Sequence, residues 1–284
     1  MEIKRFVGGL ALAAATTSAL LAHDEPFGYL RGAQTEAKGE WEVVQWSTAR
    51  IGKESGRYLG LDLATGLEYG VTDRFQVAAY VISDYLLAKD SVGSSKTFDD
   101  RNRFSVTGGT LEFKYQLLNP FKDSFGLALY FEPGYRSSGR VSGDREDEIE
   151  LEMKLILQKN FFENRLITVF NYTIEPEFER EPGHDWETDL GMEWTAGLSW
   201  RFAQHWWIGA ETRLDTKFGD ADLGDSKFVT FSAGPTLHYS GEKFFATLAV
   251  LPQIWGWPDK TGTGGLHLDD RERVEIRFKL GTEF

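Results

Sequence analysis

Charged residues recur at every second position in several stretches of this chain: Glu150, Glu152 and Lys154; Glu175 and Glu177; Glu211, Arg213 and Asp215; Glu275, Arg277 and Lys279. Asp62, Glu68, Glu132, Glu193 and Arg201 stand in the same pattern. On an extended backbone, side chains two apart share a face. Each run would therefore line one side of a strand with charge. If that face encloses a water-filled lumen, rings of charge set its ion selectivity, and the carboxylate excess at Glu150, Glu152, Glu175, Glu177, Glu193 and Glu211 favours cations. If the charges pair with one another in a filled interior, no selectivity follows. The sequence leaves both readings open.

Other chemistry is sparse. His238-Tyr239-Ser240 is the one His-x-Ser triplet; nucleophilic catalysis needs a base oriented by a third group, and none is evident nearby. Asp220, Asp222 and Asp225 are spaced like part of a calcium loop, but the twelfth loop position, where a closing acidic ligand belongs, is Phe231. The five histidines are scattered without an i, i+4 pair, so no zinc site is expected. No catalytic residue, metal or cofactor is assigned.

The elements that carry the charged faces read as strands. At the C-terminus, Val274, Ile276, Phe278, Leu280 and Phe284 alternate with Glu275, Arg277, Lys279 and Glu283. Twelve segments share this period: 38–49, 58–69, 74–85, 104–117, 124–135, 147–158, 165–178, 188–202, 206–217, 227–239, 243–256 and 270–284. Each has the length of a tilted membrane strand, about 9 to 11 residues with some extension. Tight turns at 70–73, 119–123, 160–164, 203–205 and 240–242 alternate with longer polar loops at 86–103, 136–146, 179–187, 218–226 and 257–269, and a shorter one at 50–57. Turns on one side and loops on the other are the mark of an outer-membrane barrel, and an even strand count puts both termini in the periplasm.

The apolar faces would meet lipid, among them Leu59, Leu61, Leu63 and Leu67; Phe125, Leu127, Leu129 and Phe131; and Leu190, Met192, Trp194, Ala196, Leu198 and Trp200. Aromatics gather near the turns (Tyr69, Phe75, Tyr115, Phe202, Trp206, Tyr239, Phe244) and near the loops (Tyr58, Tyr85, Phe104, Tyr135, Phe178, Phe228), as interfacial girdles do. The fold expected is all-β: a transmembrane antiparallel up-and-down barrel of twelve strands.

The N-terminus carries Lys4 and Arg5, then an uncharged run from Phe6 to Leu21 closing on small residues, the form of a secretory signal peptide cleaved after Ala22. The domains expected are a signal peptide at 1–22, an N-terminal periplasmic segment at 23–37 and the barrel at 38–284. Residues 23–38 could alternatively fold into the barrel as a short plug. No later stretch is a continuous apolar helix candidate, and mean hydropathy is −0.35. With no cysteine the chain is neither a lipoprotein nor a disulfide scaffold. A net charge of −13 argues against nucleic acid as a partner.

The terminal Phe284, with Phe278 and Leu280 on the same face, resembles the signal by which outer-membrane barrels are recognised by the barrel assembly machinery. Outer-membrane lipid, lipopolysaccharide and small solutes complete the expected partners. Phe27-Gly28-Tyr29-Leu30, Lys38-Gly39-Glu40-Trp41-Glu42, Gly52-Lys53-Glu54-Ser55-Gly56 and Glu68-Tyr69-Gly70-Val71-Thr72-Asp73-Arg74-Phe75 resemble a family of uncharacterised bacterial outer-membrane barrels. That family is distantly similar to transporter barrels linked to aromatic-compound degradation. The resemblance covers the first quarter of the mature chain and carries over no functional residue.

Twelve strands enclose more room than eight and less than sixteen. The expectation is a passive outer-membrane channel for small solutes with a narrow charged lumen. A non-conducting barrel that presents its loops and an outer-membrane lipid hydrolase are the alternatives. The last is tested at Ser240: a lipid-like serine inhibitor should leave it unlabelled by mass spectrometry, whereas stoichiometric labelling would establish a nucleophile there.

Overall fold

The computed structural model describes residues 25–259 and 265–284, so the signal peptide expected at 1–22 lies outside the described residues. Twelve strands follow one another: β1 Trp41–Ile51, β2 Ser55–Thr72, β3 Phe75–Val92, β4 Arg101–Leu118, β5 Gly126–Ser138, β6 Arg145–Phe161, β7 Leu166–Arg180, β8 Glu187–Ala203, β9 Trp206–Gly219, β10 Ser226–Ser240, β11 Phe244–Trp257 and β12 Val274–Glu283. No helix occurs among the described residues. Each strand pairs antiparallel with its chain neighbours, and β1 pairs with β12 from Glu42↔Glu283 to Ile51↔Val274, closing the barrel. Trp41 and Phe284 exchange backbone hydrogen bonds at the seam, 3.0 and 3.2 Å, so the last residue completes the closure.

All twelve expected segments are strands, with shifted ends. β2, β3 and β4 each run to 18 residues because pairs such as Arg57↔Lys89 and Ala88↔Arg101 continue the ladder past the point where apolar alternation stops. β12 begins at Val274 rather than 270, because charged residues before it reach inward instead of pairing: Glu272 meets Arg50 at 2.8 Å and Arg271 meets Asp215 at 2.5 Å.

The outer surface is the apolar one. Leu129, Phe131, Met153, Leu198, Trp200, Phe278 and Leu280 are all exposed on the outside of the wall. Burying such a band in lipid rather than water stabilises by ~25 cal/mol per Å². At the turn end, aromatic contacts ring the band: Trp41 on Tyr69 at 4.3 Å, Phe75 near Tyr115 at 6.5 Å, and Trp206, Tyr239 and Phe244 in sequence at 5.0 and 5.2 Å.

The interior is mixed, and residues 25–38 run through it. Phe27, Leu30 and Ala33 are buried against Ala128, Tyr130, Ile156, Ile167 and Val169 of the wall. The segment at 23–37, expected in the periplasm, is thus corrected for its described part: it occupies the lumen, because the apolar faces of Phe27 and Leu30 find partners only there. Near the turn between β2 and β3, Lys38 N donates to Asp73 Oδ1 at 3.1 Å. Gly39 then adopts φ +90°, a left-handed turn that favours glycine, and carries the chain into β1.

At the loop end, two loops fold across the mouth and hold each other. Asp269 accepts hydrogen bonds from Ser95 N at 2.7 Å, Ser95 Oγ at 2.5 Å and Lys96 N at 2.9 Å. Burial pushes the Asp269 carboxyl up, but these hydrogen bonds outweigh it and hold the carboxyl below its usual range. A depressed carboxylate contributes stability above its ordinary value of 3.8 and loses it as pH falls through the lower folded value. The clasp should therefore persist at neutral pH and open only in acid. Asp269→Ala should make the 93–100 loop cleavable by trypsin at Lys96 while the barrel keeps its heat-modifiable gel mobility; unchanged cleavage would show that Asp269 does not hold the loop.

Candidate functional site

The barrel lumen has two storeys. In the half toward the turns, the wall grips the inserted segment mostly by its backbone. On β9, Glu211 accepts N–H groups from Gly28 at 2.6 Å, Tyr29 at 2.7 Å and Leu30 at 3.3 Å. On β7, Asn171 accepts from Arg31 N at 2.7 Å and donates to Arg31 O at 2.9 Å. Gln158 accepts from Ala33 N, Gln116 donates to Ala33 O, and Gln76 accepts from Glu36 N, at 2.8 to 3.0 Å. An extended peptide buried without strand partners must find such groups, because each unpaired N–H or C=O costs about 1 to 3 kcal/mol.

Charge around Arg31 is matched locally. The Arg31 guanidinium is hydrogen-bonded to Glu112 and, at 3.1 Å, to the Tyr80 hydroxyl; it lies 3.9 Å from Glu68 and stacks on the Trp46 ring at 4.1 Å. Glu25 sits between Arg31 at 3.7 Å, Lys114 at 3.4 Å and Lys279 at 3.5 Å. Three carboxylates thus meet three cations, which is the condition for burying them at tolerable cost.

Above the segment, toward the loops, opens a cavity of about 960 Å³. Its described lining includes fifteen Asp and Glu against seven Lys and Arg, a formal excess of eight negative charges. Four of its five arginines already have carboxylate partners, Arg140 with Asp62 at 2.8 Å, Arg136 with Asp84 at 2.7 Å, Arg213 with Glu275 at 2.7 Å and Arg271 with Asp215, while Arg277 donates to Thr48 Oγ1 at 2.8 Å and lies over the Tyr29 ring. On β6, β7 and β8 lies an acidic arc of Glu150, Glu152, Glu175, Glu177 and Glu193, of which Glu193 is 3.9 Å from Arg213.

The charged residues singled out from spacing occupy the inner face of the wall at three levels. Asp62, Glu150, Glu152, Glu175, Glu177, Glu193, Arg213 and Arg277 line the cavity, with Lys154 bound to Glu152 at 2.8 Å and Glu275 to Arg213. Glu68, Glu211 and Lys279 belong to the grip on the inserted segment, and Glu132 is hydrogen-bonded to Tyr130 beside it. Arg201 stands apart, over the buried Trp207 ring at 5.7 Å near a turn.

Spacing alone missed the wall groups Gln76, Glu112, Lys114, Gln158 and Asn171. Glu112 and Lys114 alternate with the exposed Leu111, Phe113 and Tyr115, a signal the same period-two reading could have used. The glutamines and asparagine carry no such signal, because neutral polar residues occur on either face.

His238 and Ser240 lie two apart on β10, both fully buried toward the interior, with His238 Nδ1 at 2.7 Å from Thr247 Oγ1. This differs from a lipid-facing His–Ser pair on an outer wall. Asp220, Asp222 and Asp225 form an exposed turn in which Asp222 Oδ1 accepts from Gly224 N at 2.9 Å. Among the described residues, the carboxylate triads close enough to share an ion are Glu36, Glu42 and Glu283, and Glu148, Glu177 and Glu179; neither includes that turn.

In solved structures, the COG4313 outer membrane channel from Pseudomonas putida F1 superposes with a TM-score of 0.60 at 9% identity, covering 89% of this chain and 98% of that one. The KdgM porin in complex with disordered oligogalacturonate aligns at a TM-score of 0.46 and 13% identity, covering 86% of this chain and 99% of that one. At 9% identity the likeness to the P. putida channel is one of fold, that of an outer-membrane barrel. No curated protein matches the chain by sequence. Residues 19–284 match the family described as "Family of unknown function (DUF6662)", and the chain belongs to it.

Proposed function

We propose that this protein is an outer-membrane channel for small polar solutes, selective for cations, whose lumen is occupied by its own N-terminal segment. The observation that carries this reading is the acidic cavity of about 960 Å³, open among the loops and floored by a segment held without covalent attachment to the wall. A cavity lined by surplus carboxylates raises the local concentration of cations. The resemblance to transporter barrels and the channel fold of the P. putida neighbour support the same reading. Passive flux fits, because the segment is far too short to be a separate energy-coupled plug domain.

One observation favours a second reading, a non-conducting barrel presenting its loops: Phe27 and Leu30 are fully buried and the charges around Arg31 balance, as in a permanent core.

Planar-bilayer recording separates the two. The refolded mature protein should give small or infrequent steps, and deletion of residues 23–38 should give larger and persistent ones. Glu211→Ala combined with Asn171→Ala, which leaves several buried backbone groups of the segment unpaired, should raise open probability in the same direction. Silence of both variants, when heat-modifiable mobility shows them folded, would favour the permanent core.

A reversal potential across a salt gradient should show cation preference in the conducting variants, diminishing as ionic strength screens the carboxylates. Anion preference would mean that the arginine side of the cavity governs permeation.

A further inference from the structure

We infer that the acidic arc of the cavity is a binding site for linear polyamines, solutes carrying two or more ammonium groups on a flexible alkyl chain. The inference rests on the reading that the cavity is open to solutes from the loop side.

The arc already binds ammonium groups, those of its own lysines. Lys217 Nζ meets Glu177 at 2.6 Å, Glu179 at 2.8 Å and Asp189 at 3.4 Å. Lys154 Nζ meets Glu152 at 2.8 Å. Between these two occupied positions lie Glu150 and Glu175, which have no cation within ion-pair distance among the described contacts. The strand register sets them side by side with the occupied ones: Glu150 pairs with Glu177, Glu177 with Asp189 and Thr173 with Glu193. Gly191, opposite Glu175, carries no side chain, and the Glu177 carboxylate leans over it, its Oε1 3.2 Å from where a Cβ would stand.

One further group points to a missing partner. Thr173 is 2% exposed and lines the cavity, and its Oγ1 has no hydrogen-bond partner. Beside it Glu148, 7% exposed, has an Oε2 that accepts no hydrogen bond and meets only the Arg136 guanidinium, at 3.7 Å. A buried hydroxyl left open in an acidic wall suits an N–H donor of the ligand.

Spacing selects the class. Glu175 on β7 is the diagonal neighbour of Glu150 on β6, such neighbours lie about 7 to 8 Å apart, and two ammonium groups on a four-carbon chain lie about 6 Å apart when extended. Successive rungs can therefore each take one charge of the same molecule. A divalent metal ion asks for the opposite arrangement, about six to eight oxygens converging within roughly 2.5 Å of one point. Here the carboxylates run along a ladder, and the closest triad, Glu148, Glu177 and Glu179, has the Lys217 ammonium on two of its members.

The test is isothermal titration of the folded mature protein in detergent micelles with spermidine at 0.15 M salt, against butylamine and magnesium as separate titrants. The expected result is saturable binding of spermidine, at least about tenfold weaker binding of butylamine and magnesium, and about tenfold weakening of spermidine by Glu150→Gln with Glu175→Gln. Glu163→Gln, at an exposed turn, should change nothing. Thr173→Val, nearly isosteric, should weaken binding severalfold and serves if the double variant does not fold.

Equal affinity for magnesium, or spermidine binding indifferent to Glu150, Glu175 and Thr173, would reduce the arc to diffuse attraction and overturn the inference. Spermidine binding by a protein that never conducts would sink the channel reading and keep the site. Cation-selective conductance without spermidine binding would do the reverse.

Discussion

Backbone hydrogen bonding in a medium that offers no partners is the constraint on which the rest of this structure depends. In hydrocarbon each unpaired N–H or C=O costs several kcal/mol, so a sheet can cross only if it has no edge. The ladder between β1 and β12, ending in the exchange between Trp41 and Phe284, removes that edge. Closure then turns the usual protein inside out: Leu, Phe and Trp side chains face outward to lipid, and the polar half of every alternating strand is forced into a common interior.

An interior forced to be polar has to be satisfied from within. In the half toward the turns this is done by the chain's own first residues, whose backbone takes up Glu211, Asn171, Gln158 and Gln76 while Arg31 and Glu25 neutralise wall charges. In the half toward the loops no such segment lies among the described residues, and four arginines are matched with carboxylates while a carboxylate surplus remains in the lining. The two storeys are thus two answers to one electrostatic problem: wall groups taken up by the chain's own first residues, and a residual charge left for water and solute.

The wall was legible from the residues because its rule is local. Period-two alternation in stretches such as 274–284 depends only on neighbouring side chains facing opposite sides, and turns such as Ser240-Gly241-Glu242 break it where the chain reverses. Strand ends were less legible. Residues 86–92 carry Lys89 and Asp90 without apolar alternation, yet pair with 55–60 and, at 86–88, with 101–103 because the neighbouring strands hold them in register. The grip of Asn171 and Gln158 on residues 31 and 33 left no trace in spacing, since it joins positions more than a hundred residues apart.

The sequence by itself determined a twelve-stranded barrel with an apolar outside and a charged inside, because alternation, length and turn chemistry act within a few residues of each other. Only the tertiary structure decided where residues 25–38 lie, which carboxylates are neutralised and which remain open. Those outcomes depend on distances between strands on different sides of the barrel, such as the one that brings Glu211 on β9 to Gly28, and no local pattern encodes such a distance.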